Sequence, residues 1–232
     1  MSLGNLKKDI KKLATPERAT TNKWFFKTGK GEYGEGDEFI GLTMPNVRII
    51  AKRYLHLTIK EVEQLLHSKI HEYRMVALVI WTYQFEKADE KTKKNIYIKY
   101  LKNTKWINNW DLVDVTTPNI VGNYLLNRDR KILYKLAKSK NLWEKRIAIL
   151  ATFTFIKHNQ FQDTLNIAKI LLKDDHDLIH KSVGWMLREV GKMNQKVEEQ
   201  FLKKYHKIMP RTMLRYSIEK FNEKKIKFYM TK

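Results

Sequence analysis

No cysteine occurs anywhere in the 232 residues. Disulfides, thiol catalysis, thiolate zinc sites and iron–sulfur clusters are thereby excluded, and any metal site has to be built from histidine and carboxylate. Long apolar runs are missing too, so no segment is expected to cross a bilayer. The opening MSLGNLKKDIKKLA is basic but has neither a continuous apolar stretch nor a small-residue cleavage site, so it does not read as a secretory signal, and a cytoplasmic location is the default expectation. Acid is scarce: 25 Asp and Glu stand against 46 Lys and Arg, a formal net charge of +21. An excess of that size repels itself unless a polyanion meets it, and nucleic acid is the leading partner. The cations are spread along the chain rather than gathered in one amphipathic segment, which disfavours a membrane surface.

Strand signals are sparse as well. The run ILATFTFI (residues 149–156) is β-branched and aromatic, yet it continues a helix opened by Asn141 and Glu144, and its length favours helix. Helical signals recur along the rest. Residues 3–14 form a short amphipathic pattern; Thr15 and Pro16 open a second helix carrying Trp24, Phe25 and Phe26; Pro45 opens VRIIAKRYL; Thr58 and Glu61 make a capping box. Glu72 to Phe85 is more continuously apolar, a helix over about 91–102 follows, Pro118 predicts a break before Ile120 to Leu126, and Gly191 predicts the stop of the helix through Val183. The chain is expected to be all-α, a single domain over residues 1–232.

The loop KTGKGEYGEGDEF contains GKGEYG, a formal match to the dinucleotide fingerprint. A helix rather than a strand precedes it, and Glu32, Glu35, Asp37 and Glu38 would repel phosphate, so a flexible surface connection is the expectation. His67 with His71 and His176 with His180 stand four apart without the HExxH pattern, and are read as solvated helix faces with no metal.

Arg74, Trp110, Arg146 and Ser182 are separated by 36 residues each, every one near the start of an apolar helix that follows a more polar one. That is the period of a helix-pair solenoid, and it predicts an α-α superhelix of HEAT-like repeats. Such a stack leaves a concave surface, here basic through Arg74, Arg146 and the segment from Lys181 to Arg188, with Trp110 and Trp185 between. Duplex DNA suits that groove better than a small ligand does. Within WINNWDLVDVTTPNIVG (106–122), Trp110 and Asp114 lie one helical turn apart and face one way. Each has a structural alternative: tryptophans are usually packed, and Asp114 would serve as a cap for the TTPN segment. Asp111 is the more natural structural acid.

NWDLVD, the following Pro118 and Gly122, LWEKRIAIL and VGWMLREVGK together resemble the AlkD-type DNA alkylation repair enzymes, the HEAT-like alkylpurine DNA glycosylases, and FFKTGKGEYGEGDEFIGLTMPNVR is similar to a branch of them with a longer Gly-rich loop. The likeness runs from about residue 20 to 195. It implies a monofunctional glycosylase, free of any cofactor, that excises cationic N3- or N7-alkylated purines from double-stranded DNA without a base-flipping pocket. It also implies that Asp114 stabilises the transition state, Trp110 and Trp185 contact the deoxyribose, Arg146 holds the backbone and Arg188 touches DNA. Phe25 stands near an aromatic that the family presents to DNA, and Thr43 stands where some members carry Gln. A monomer is the simplest expectation. The rival readings are a non-catalytic HEAT-like module for distorted or branched DNA, and a protein-binding scaffold.

Overall fold

The computed structural model describes residues 2–231; Met1 and Lys232, the two ends of the expected domain, lie outside the described residues. Helix follows helix, and the β-type pairing among the described residues is one isolated bridge between Glu38 and Ile70. The helices gather into two compact units, Met1–Ile120 and Val121–Lys232. None is long and apolar enough to cross a membrane among the described residues.

The first unit contains α1 (Leu3–Leu13), α2 (Pro16–Phe25), α3 (Met44–Arg53), α4 (Ile59–Leu66), α5 (His71–Lys87), α6 (Glu90–Lys102) and α7 (Trp110–Thr117). Its starts are set by caps: Ser2, Thr43 and Asp89 each accept from a backbone N–H three residues on, and Thr58 with Glu61 forms the reciprocal capping box. Each such cap is worth about 1 kcal/mol. Helix α5 is the core of the unit. Every side chain from His71 to Trp81 is buried, and α3, α4, α6 and α7 pack around it. A helix enclosed on all sides has no polar face, which is why its sequence shows little amphipathic period.

Charged residues inside α5 therefore need partners. The Glu72 carboxylate accepts from the backbone N–H groups of Ile40 (3.1 Å), Gly41 (2.9 Å) and Leu42 (3.3 Å) and from Asn22 Nδ2 (3.3 Å). Gly41 sits at φ +89 with its carbonyl accepting from Thr15 N–H, and an added Cβ would lie 1.9 Å from the Thr15 carbonyl oxygen, so only glycine makes this turn.

The second unit holds α8 (Asn123–Leu125), α9 (Lys131–Ala137), α10 (Leu142–Lys157), α11 (Gln162–Leu171), α12 (Asp177–Met193), α13 (Gln195–Tyr205), α14 (Arg211–Ser217) and α15 (Glu223–Met230). Asn141 caps α10 by accepting from Trp143 and Glu144 N–H, and ILATFTFI lies within that helix. Helices α9, α11 and α12 pack on α10, and α13 and α14 pack on α12. Gly184 lets α12 and α14 approach closely, since a Cβ there would lie 2.4 Å from the Met213 carbonyl oxygen.

Two breaks expected from sequence are absent. Pro118 has helical angles (φ −57, ψ −39) and opens a π-helical turn, Pro118–Gly122, that leads directly into α8. Proline lacks the N–H of the ordinary i→i−4 bond and its ring crowds that carbonyl; widening the turn relieves both. Gly191 does not stop its helix either, since α12 runs on to Met193. A side chain at 191 would collide with the buried Glu198 carboxyl, 1.7 Å from its Oε2, so this glycine serves close packing.

Candidate functional site

Helix α7 starts within a network of buried and half-buried polar side chains. Asn109, fully buried, caps it by accepting from Trp110 N–H at 2.8 Å. The Asp37 carboxylate from the Gly-rich loop accepts from Asn108 Nδ2 (3.4 Å), Asn109 Nδ2 (3.5 Å), His71 Nδ1 (3.3 Å) and Arg74 Nη2 (2.8 Å). His71 Nε2 donates to Asp111 Oδ2 at 2.8 Å. The imidazole thus spans two carboxylates, one from the loop and one from the first turn of α7. Burial alone would strip its proton; Asp111 and Asp37 outweigh that and lift its pKa to about 9, so His71 is a cation at neutral pH. Burial pushes Asp37 upward, but the His71 and Arg74 contacts win and hold it below the usual carboxylate range.

A ladder of rings rises from this base. His71 stacks on Phe39 (centroids 4.6 Å apart) and lies 5.0 Å from Phe26; Phe26 stacks on Trp110 at 5.4 Å, and Phe25 meets Trp110 edge-on at 5.8 Å. Trp110 Nε1 donates to the Tyr33 hydroxyl at 3.2 Å. The indole is half-buried, fixed on one side and by its single donor.

Asp114 follows one turn along α7 and is also half-buried. The cap reading does not hold for it, because it lies inside an unbroken helix. Its charge reaches Tyr100, a buried phenol bonded to Thr116 (3.0 Å) and Thr117 (2.8 Å); burial chiefly, with Asp114 adding, pushes that phenol to about 12. Phe25 is 53% exposed, while Thr43 is half-buried as the cap of α3.

In the second unit, Lys181, Trp185 and Arg188 recur at helical spacing on one side of α12, all three half-exposed. Trp185 Nε1 donates to Glu189 at 3.1 Å and its ring lies 6.1 Å from Phe153. Arg188 pairs with Glu219, and Lys181 with Asp177 at 2.6 Å.

Two arginines expected on a DNA face are inside the protein. Arg74 is 2% exposed, with Nη2 on Asp37 and Nη1 on the carbonyls of Ser68 (2.9 Å) and Lys69 (3.1 Å), so it cannot reach a phosphate and its role is structural. Arg146 is 5% exposed and donates to the Leu178 carbonyl at the head of α12. The expectation that His71 sits on a solvated face is likewise corrected by its burial, and the Gly-rich loop is pinned through Asp37 and Tyr33 rather than being a bare connection.

The family model described as DNA alkylation repair enzyme matches residues 6–221. The chain belongs to the DNA alkylation repair enzyme family. Solved structures of similar fold include a predicted DNA alkylation repair enzyme from Enterococcus faecalis, 15% identical with a TM-score of 0.69, the match covering 90% of this chain and 97% of that one. AlkD2 from Streptococcus mutans is 19% identical with a TM-score of 0.55, covering 95% and 97%. A comparison with curated proteins finds no match. For this member of the family, sequence reasoning missed Asp37, His71 and Tyr33. The visible signal was modest: an acid ending the Gly-rich loop, and a histidine opening the most apolar helix, where an unpaired imidazole is costly.

Proposed function

We infer that this family member is a monofunctional DNA glycosylase that hydrolyses the N-glycosidic bond of cationic N3- or N7-alkylated purines in duplex DNA, acting in the cytoplasm as a monomer, one functional domain over 1–232, without a cofactor or a base-flipping pocket. The observation that carries the reading is the pair on α7: a half-buried Asp114 one turn from a half-buried Trp110 whose ring is held by Phe26 and Tyr33. Departure of a cationic purine leaves positive charge on the deoxyribose. A nearby carboxylate and the face of an indole both stabilise that charge; the base leaves neutral, and water then adds at the sugar carbon and gives up one proton to solvent.

The likeness to the family assigns Trp185 a contact to the sugar as well, and Arg188, Phe25 and Thr43, with Lys181, are assigned to the strand. Arg146, being buried, acts through its hold on the first turn of α12.

Purified protein incubated with duplex DNA containing 7-methylguanine or 3-methyladenine should release free base. Asp114→Asn should cut that release about 100-fold or more, the scale of losing one transition-state electrostatic contact, while DNA binding persists. Undiminished release by the variant defeats the mechanism; salt-dependent DNA binding with no release from any lesion favours a non-catalytic DNA-binding module.

A further inference from the structure

Trp24 has no part in the site above. Among the described residues it is the most exposed large apolar side chain, 81% accessible, and its ring stacks on no other. It borders a cavity of about 640 Å³ lined also by Thr20, Lys23, Phe25, Lys27 and Glu32. Lys23 and Lys27 are exposed and enter no ion pair among the described residues, and these two cations outnumber the one carboxylate of the lining, Glu32, which accepts from Gly29 N–H at 2.9 Å. Phe25, which lines this cavity, is the residue whose edge meets Trp110. An open space bordered by an unpartnered indole and two uncommitted cations therefore adjoins the ring ladder of the candidate site through Phe25.

An exposed indole costs solubility unless something covers it, and the net charge of +21 selects an anionic occupant. We propose that the Trp24 cavity is a stacking site for an unpaired nucleobase of the bound DNA, the base lying on the indole face while Lys23 and Lys27 neutralise the flanking phosphates. Aromatic stacking accepts any base, since every base has a π-face, and two cations suit a backbone turning away from the duplex. The proposal deepens the reading of the chain as a DNA repair enzyme and rests on it. It assigns to the start of the Gly-rich loop the holding of a base that is already unpaired, distinct from the alkylated purine, which is cut without entering a pocket.

The test uses the full chain and two labelled duplexes, one fully paired and one carrying a single extrahelical adenine, with affinities read by fluorescence anisotropy at fixed salt. Trp24 is exposed, so its substitution leaves the fold intact. Trp24→Ala should weaken binding of the bulged duplex about tenfold, the scale of one lost stack, and leave the paired duplex unchanged; Trp24→Phe should restore most of the loss. Unaltered binding of the bulged duplex overturns the proposal, as does an equal loss on both duplexes. Base release from alkylated DNA is scored separately. A selective Trp24→Ala defect without base release would leave the cavity assigned and sink the glycosylase; base release with a neutral Trp24→Ala would do the reverse.

Discussion

Stability should fall steeply with alkalinity, and His71 should be a principal cause. In the folded protein its pKa is about 9, against 6.5 for a free imidazole. Between those values the folded state holds a proton that the unfolded chain has released, so stability is fully present below 6.5 and is lost as pH rises through 9. At 1.36 kcal/mol per pH unit the span amounts to roughly 3 kcal/mol. Solvent screening takes little from this, because the His71 side chain is 3% exposed. The assay is urea unfolding at pH 6.5 and 9.5, followed by tryptophan fluorescence; four of the six tryptophans, Trp24, Trp81, Trp106 and Trp110, lie in the first unit. Glu198, in the second unit, also holds a proton to about pH 9 and contributes a parallel slope, so the quantity to read is the gap between wild type and His71→Gln. Glutamine keeps an amide donor for one carboxylate but carries no charge. The gap should be wider by about 3 kcal/mol at pH 6.5 than at 9.5. An equal gap at the two pH values refutes a charged His71.

The Glu198 carboxyl is buried, with its pKa raised to about 9 by burial first and by Glu199 second. Glu198→Gln keeps the shape without the proton uptake, and should raise stability at pH 8 by roughly 1–3 kcal/mol and flatten the slope between pH 5 and 9 in the same urea titration; an unchanged slope would show the acid ionised in place. Tyr33→Phe removes the acceptor of Trp110 Nε1. About 1 kcal/mol of lost positioning should slow base release about fivefold with affinity for undamaged duplex preserved, and a wild-type rate would discount Tyr33 as a support of the indole.

The sequence made the helices legible because their punctuation is local. Thr58 and Glu61 bond across three residues, and Asn141 caps the helix that the ILATFTFI run continues. The 36-residue spacing was legible too, but its meaning was partly misread. Arg74, Arg146 and Ser182 are all buried, so the period marks the face that each repeat packs inward, and basic residues on it become internal ties rather than a charged wall. Trp110, the half-buried member of the series, is the one that stays available. What stayed hidden depends on partners far apart in the chain. Asp37 and His71 are 34 residues apart, His71 and Asp111 are 40 apart, and no local pattern announces either pair. The π-helical turn at Pro118 escaped for a different reason: proline is evidence against an ordinary helical turn, and the sequence has no signal for a wider one.

The Glu72 carboxylate, which collects the amides of Ile40, Gly41 and Leu42, also imposes an order of assembly. That stretch has no helix or strand of its own to fix it; its bonds reach across 30 to 32 residues to a side chain whose place exists only once α5 has formed. Closing so long a loop is entropically unfavourable until a docked partner rewards it. The Gly-rich segment just before it, which carries Tyr33 and Asp37, is therefore expected to order after the helix core, and the indole of Trp110 to gain its orientation with it.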